Sequence, residues 1–253
     1  MFYKLTTLAH NNSLVSRSAS KIKKIFGVKP PMTNAELVKK YSPGKSFADV
    51  GALWGVNGLY SFIAEESGAR KVVAVDIYPE SPKFIEEKRR RNSKVGFVQG
   101  DIHQSSTTVA IGVCDVVLCS GVLYHTPDPI HLLTRLRAIA GQTLILNTAS
   151  IPEVPGIQNM AVYYPFLSES QRKIWNRKMG SQMAITVPYD SAEGYGNWFW
   201  GMTPSLIESM LKCAGFEVKE RFISPFTSIF VCNTAPIQLE ASSGEWTLPK
   251  EKK

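Results

Sequence analysis

Asp49-Val50-Gly51-Ala52-Leu53-Trp54-Gly55-Val56-Asn57-Gly58 is the stretch whose reading decides the fold. It follows a short apolar run that starts at Ser46 and precedes an amphipathic one, so it reads as a strand-to-helix turn. Glycines at 51, 55 and 58 let a backbone turn tightly and approach a ligand where a side chain would collide. The spacing is G-x-x-x-G-x-x-G, and no Lys-Ser/Thr follows. Neither the dinucleotide fingerprint nor an ATP-binding phosphate loop is matched.

Outward from that turn, short apolar strands alternate with helices, the pattern of a parallel α/β sheet. Strands are predicted at Ser46–Gly51, Lys71–Asp76, Val95–Gln99, Cys114–Ser120 and Gln142–Asn147, with helices near 57–67, 81–91 and 129–140. After Asn147 the pattern breaks into an insertion, residues 150–200, rich in Pro and aromatics and with a helix around Ser168–Lys178. Order resumes with a helix at 203–214, opened by Thr203-Pro204 and closed by Gly215. Phe216–Ile223 and Thr227–Asn233 are then close enough in sequence to pair as an antiparallel hairpin, and residues 234–253 read as a tail.

The chain has 253 residues, 44% of them hydrophobic, enough to bury a large core. No apolar stretch approaches the length of a membrane-spanning helix. Of a net charge of +8, +7 lies in residues 1–40, where eight Lys and Arg face the single acid Glu36. The rest of the chain is close to neutral, which excludes a pervasive nucleic-acid-binding surface. Residues 1–40 form a basic helical segment, a lid or a packing element. In it Asn12 or Ser13 caps a helix with Leu14, Val15, Ala19, Ile22, Ile25 and Phe26 on one face and Arg17, Lys21 and Lys24 on the other. A second helix, capped by Thr33 or Asn34, ends before Ser42. Cys114, Cys119, Cys213 and Cys232 form no C-x-x-C pair and read as free thiols of a reducing, cytoplasmic compartment; the acid-poor start also has some character of an organelle transit peptide.

Two acids close strands. Asp76 ends Val73-Ala74-Val75-Asp76, beside the first strand in a doubly wound sheet, where a carboxylate can accept hydrogen bonds from ribose hydroxyls. Asp101 closes the third strand, where the chain would border an adenine ring.

From about Lys39 to Asn233 this arrangement resembles the class I S-adenosylmethionine-dependent methyltransferases. The resemblance implies an α/β, Rossmann-like seven-stranded sheet, mostly parallel with the last strand antiparallel, in a domain spanning 41–233. It implies S-adenosyl-L-methionine as cofactor and S-adenosyl-L-homocysteine as product. Position by position, Asp49, Gly51, Ala52, Leu53, Gly55 and Gly58 look like the loop cradling the amino-acid end of the cofactor. Asp76 with Ile77 looks like the ribose-binding end of the second strand, Asp101 with Ile102 like the adenine-flanking pair, and Ser120 with Gly121 like the end of the fourth strand at the cofactor. The run Gly121-Val122-Leu123-Tyr124-His125 is similar to a branch that holds small-molecule O-methyltransferases and transfer-RNA wobble-uridine (carboxy)methyltransferases. The Trp- and Lys-containing cofactor-carboxylate segment of the latter has no counterpart before Ser46, which favours ordinary S-adenosylmethionine.

Methyl transfer is an in-line displacement that needs alignment and a dry pocket. A hydroxyl acceptor also needs a base, and His125 is the candidate, with Tyr124 lining the same spot. The alternative is a His125 that holds its loop by a backbone hydrogen bond. The insertion is expected to supply the acceptor pocket through Tyr164, Arg172, Tyr195, Asn197, Trp198 and Trp200, with Lys173, Arg177 and Lys178 as further cations. The expected acceptor is a small organic hydroxyl compound, natural product, sugar or lipid-linked, and the basic front suits an anionic one. A wobble uridine of transfer RNA, gripped by Arg17, Lys21 and Lys24, is the alternative. No metal is expected, since Ser120 and Asn147-Thr148 stand where acidic ligands would be needed.

Overall fold

A computed structural model describes residues 32–174, 187–224 and 226–236. The helix expected over 12–26, the end of the one expected over 168–178, and the tail beyond Pro236 lie outside those residues.

The helices start where local chemistry tells them to. In α1, Asn34–Tyr41, Thr33 and Glu36 form a reciprocal capping box. Three others share one grammar, a capping side chain followed by proline in the first turn. Ser81 opens α3, Pro82–Arg90; Asp128 opens α5, Pro129–Ile139; Thr203 opens α7, Pro204–Cys213. The side chain accepts one orphan N–H, and proline gives up a donor that had no partner there. Each cap is worth about 1 kcal/mol.

Between them run β1 Ser46–Val50, α2 Leu59–Glu66, β2 Lys71–Asp76, β3 Gly96–Gln99, α4 Ser105–Ile111, β4 Cys114–Ser120 and β5 Ala140–Ala149. β8, Phe216–Ser224, and β9, Thr227–Thr234, complete a seven-stranded sheet of order β3-β2-β1-β4-β5-β9-β8. β9 is antiparallel to both its neighbours, and the β1 to β5 pairings are all parallel. The expected Rossmann-like sheet with an antiparallel last strand is the observed one. Chain order reverses between β1 and β4, the place where open α/β sheets leave a crevice at the carboxyl ends of their strands.

Apolar strands are covered on both faces. Leu37 and Val38 of α1, Phe62 of α2 and Phe84 of α3 pack on Phe47, Val116, Leu118 and Ile145. Ile111, Leu132, Leu136, Ile207 and Leu211 close the other face over Val117, Leu144, Leu146 and Phe230. No described helix is long and apolar enough to cross a membrane.

Three features depart from the expected elements. α4 went unread because Ser105-Ser106-Thr107-Thr108 is poor in helix formers and its N-cap, Gln104, makes no side-chain bond. β5 is longer at both ends than Gln142–Asn147, its C-terminal extension paired with β9 and its first residue with Cys114 of β4. The insertion is built on a two-stranded ribbon, β6 Ala161–Tyr163 with β7 Trp200–Met202, and α6, Glu169–Ile174.

Candidate active site

The loop from Gly51 to Gly58 lies against β2 through its own backbone. Gly51 and Ala52 N–H donate to the Val75 carbonyl at 2.9 and 3.1 Å, and Gly58 N–H donates back to Ala52 at 2.7 Å. Gly51, Gly55 and Gly58 have φ of +80°, +70° and +77°, so all three occupy backbone space that other residues rarely enter. Gly58 is also needed for room, since a Cβ there would sit 2.3 Å from the Phe84 ring. Ala52 and Leu53 are buried in the core, and their amides are spent on the Val75 carbonyl and the Asp76 carboxylate; Gly55 is the exposed glycine of the loop.

Asp76 lies under this loop. One carboxylate oxygen accepts Leu53 N–H at 2.9 Å and the other accepts Tyr78 N–H at 3.0 Å, which fixes the group at the tip of β2 with a lone pair left on each oxygen. Ile77, Tyr78 and Trp54 are exposed around it and form an apolar rim.

Asp49 is not at the surface of the site. It is 1% exposed, its carboxyl accepts the Ser61 hydroxyl at 2.8 Å, and burial raises its pKa to about 7 against that hydrogen bond. The expectation of a cofactor contact is corrected to a support beneath the loop, because the carboxyl points into the sheet–helix core.

At the tip of β3, Asp101 accepts from His103 N–H at 2.9 Å, pairs with His103 Nδ1 at 2.8 Å, and accepts from the Tyr195 hydroxyl at 2.8 Å. Burial acts to raise its pKa, but these hydrogen bonds outweigh it and hold the carboxyl below the usual range. Tyr195 is pushed up to about 12 by burial and by Asp101. The other ring nitrogen of His103 meets Thr126 Oγ1 at 2.8 Å. Ile102 is buried in the core.

After β4 the backbone bends at Gly121, φ +76°, whose N–H donates to the Asn147 carbonyl, and enters a single 3-10 turn, Leu123–His125. His125 Nδ1 is 2.8 Å from the Asn197 carbonyl. A carbonyl only accepts, so Nδ1 carries the proton and Nε2 holds a lone pair, with no partner among the described residues. Burial lowers the His125 pKa, partly opposed by that hydrogen bond, so the ring is neutral near pH 7. Its neighbours are the rings of Tyr124 and Trp198, with centroids at 4.2 and 5.8 Å.

Side chains expected at the acceptor separate into two groups. Trp198 is half-buried beside His125, as a pocket wall requires. The others carry structural contacts. Tyr124 is 2% exposed and Tyr164 is buried over Gly201, where a Cβ would meet its hydroxyl at 2.0 Å. Trp200 Nε1 donates to the Pro127 carbonyl at 3.1 Å, and Arg172 turns back to the Leu167 carbonyl with its Nε buried and unpaired. The Asn197 amide is consumed inside its own turn, and Tyr195 faces Asp101 rather than His125. Arg17, Lys21, Lys24, Arg177 and Lys178 lie outside the described residues.

Sequence reasoning missed Asn34. Thr33 takes the capping role, which frees the Asn34 amide, and α1 delivers it to the tips of β4 and β5. There Nδ2 donates to Ser120 Oγ and Oδ1 accepts from Asn147 Nδ2, both at 2.9 Å. The Ser120 O–H and Asn147 Oδ1 remain open, giving a neutral polar patch beside Gly121. The one available signal was a choice of caps in which the loser becomes free. Among the described residues, no three His, Cys, Asp or Glu side chains converge as metal ligands.

Residues 48–140, which hold the glycine loop, Asp76, Asp101 and His125, match a family described as a methyltransferase domain. No curated protein matches the chain. Among solved structures, the N-terminal domain of EvdMO1 with SAH bound is similar at 17% identity and a TM-score of 0.53, covering 81% of this chain and 82% of that one. Burkholderia thailandensis 1,6-didemethyltoxoflavin-N1-methyltransferase, with bound 1,6-didemethyltoxoflavin and S-adenosylhomocysteine, is similar at 14% identity and 0.53, covering 92% and 89%. A Pyrococcus horikoshii protein shares 19% identity at 0.52, covering 88% and 92%. At these identities the likeness is one of fold.

Proposed function

We propose that this chain is an S-adenosylmethionine-dependent methyltransferase that alkylates a hydroxyl oxygen of a small, polar organic acceptor. The observation that carries the oxygen assignment is His125, a neutral imidazole with Nδ1–H anchored and Nε2 open beyond the end of β4. The cofactor reading is supported by the match of residues 48–140 and by two structural neighbours solved with the demethylated cofactor.

The residues present fit the cofactor. Gly51 and Gly55 put side-chain-free backbone at the exposed part of the loop, where an amino-acid end could approach, Asp76 keeps a lone pair on each oxygen for the ribose, and Ile77 gives an apolar face beside it. When bound, the sulfonium supplies an electrophilic methyl carbon and a neutral leaving group. The chain's own part is to hold, dry and deprotonate. His125 Nε2 accepts the acceptor's hydroxyl proton as its oxygen attacks, and the Asn197 carbonyl stabilises the imidazolium that results. Trp198 and Tyr124 flank the imidazole with apolar surface, which limits water at the reacting oxygen. The open Ser120 hydroxyl and Asn147 carbonyl oxygen suit an uncharged hydroxyl neighbour of the reacting one.

Titration calorimetry with S-adenosylmethionine and S-adenosylhomocysteine tests the cofactor half. Both are expected to bind, and a folded protein that binds neither removes the reading. A panel of phenols, sugars and amines, scored for methyl transfer, tests the oxygen half; turnover confined to amines would overturn it.

A further inference from the structure

Asn197 sits at the junction of the insertion with His125, and its side chain is unavailable to any ligand. Oδ1 accepts Asp190 N–H at 3.0 Å, while Nδ2 donates to the carbonyls of Asp190 and Gly194 at 2.6 and 2.9 Å. The residue is 8% exposed. These three bonds close the turn that contains the 3-10 segment Ser191–Gly196. They leave one outward-directed group, the Asn197 main-chain carbonyl, and that carbonyl meets His125 Nδ1.

The strand of chain that follows is tied to the same loop. Phe199 N–H donates to the Tyr124 carbonyl at 2.9 Å and Trp200 Nε1 to Pro127. On the other side of Asn197, Tyr195 holds Asp101. The insertion therefore spans from the tip of β3 to the turn after β4, and Asn197 is the point where the span hydrogen-bonds the imidazole, with Trp198 packed beside it.

We propose that Asn197 is a positioning residue for His125: by clamping the 190–197 turn it presents a fixed carbonyl that selects the Nδ1–H tautomer and leaves Nε2 as the proton acceptor. The inference rests on the reading of His125 as the base. It assigns a specific duty to a side chain that touches no substrate. An imidazole free of this carbonyl favours no such arrangement, since either nitrogen can carry the proton and only one faces the reacting hydroxyl.

The test separates this from the function itself. In the full-length wild-type protein, nitrogen-15 spectra of the His125 ring should show the Nδ1–H tautomer with a slowly exchanging proton. A wild-type ring protonated at Nε2 overturns the proposal without any variant. Asn197→Asp keeps the size and the acceptor but sets a carboxyl oxygen against two carbonyls, so it should open the turn. The expected result is a mixed or reversed His125 tautomer and a kcat lowered about 10-fold to 100-fold, with S-adenosylhomocysteine affinity within twofold of wild type. Tyr195→Phe, which keeps the ring and loosens the span from its other end, should shift the same signal less. An unchanged tautomer in both variants, or a loss of cofactor binding that matches the loss of kcat, overturns it. Failure of the proposed function reads differently: the tautomer stays as described, but His125→Ala leaves kcat intact.

Discussion

The carboxyl edge of the sheet has two halves made by opposite means. Over β1, β2 and β3 the working groups are carboxylates and glycine backbone, and apart from Tyr195 the partners named above fall within the β1–β3 stretch itself: Asp76 to Leu53 and Tyr78, Asp101 to His103, Gly51 and Ala52 to Val75, Gly58 to Ala52. Over β4 and β5 the groups are neutral, and their partners come from far away: Asn34 to Ser120 and to Asn147, Asn197 to His125. The first half draws nearly all of these contacts from residues 49–103. The other half exists only once α1 and the insertion have docked, so its geometry depends on packing elsewhere.

The comparison breaks most visibly at Gly58. Alanine there must take a left-handed φ and displace Phe84, a loss of about 2 to 5 kcal/mol in stability. Gly55→Ala meets the same φ but open space, and should lose only about 1 to 2 kcal/mol. Denaturant midpoints of the two variants decide whether the loop is held by space or by backbone alone.

His125→Ala probes the other half. A general base contributes on the order of 10²-fold to 10⁴-fold, so kcat should fall by about 10²-fold or more, with cofactor affinity unchanged. Burial disfavours the charged ring, so the acid limb of the wild-type pH–rate profile should lie below the ordinary histidine value near 6.5. A limb at or above that value would mean that burial does not govern the ring.

Asp76→Ala should weaken S-adenosylhomocysteine binding roughly 10-fold to 100-fold, as expected for losing hydrogen bonds to a charged acceptor. Asp101→Ala should cost less, because in this structure its oxygens are already engaged by His103 and Tyr195. Calorimetric affinities that rank the two acids the other way would move the recognition centre from β2 to β3.

A further expected effect, outside the site itself, is a slope. The Asp49 carboxyl titrates near 7 when folded and lower when unfolded, so its contribution to stability is complete in acid and is lost as pH rises toward 7. Asn at this position keeps an acceptor for Ser61 and removes the titration. Asp49→Asn should therefore flatten the stability curve between pH 4 and 8, read from thermal midpoints.

Much of the fold was legible because its signals are local. Alternation of apolar runs placed the seven sheet strands, and Thr203-Pro204, a cap followed by proline, placed the start of α7. The loop and both strand-end acids were legible for the same reason. The acceptor side was readable only as composition. An excess of aromatics marked the insertion, but which of them packs and which lines a pocket is set by β6 and β7, a ribbon of three-residue strands paired across nearly forty residues. Tyr164 and Arg172 have suitable chemistry for an acceptor and are spent on internal contacts; Asn34 looked like a cap and reaches the site.

α1 gives the molecule a direction. Its first residue is bonded to the tips of β4 and β5, whereas β9 delivers the chain to Thr234 beside Gly141, at the start of β5. The polypeptide thus enters the domain at the mouth and leaves from the floor. A label, surface tether or fused reporter attached beyond Ala235 departs from the side away from the strand tips, while one placed just before Met32 is delivered to the doorway, where it can crowd incoming molecules or be used to watch them arrive.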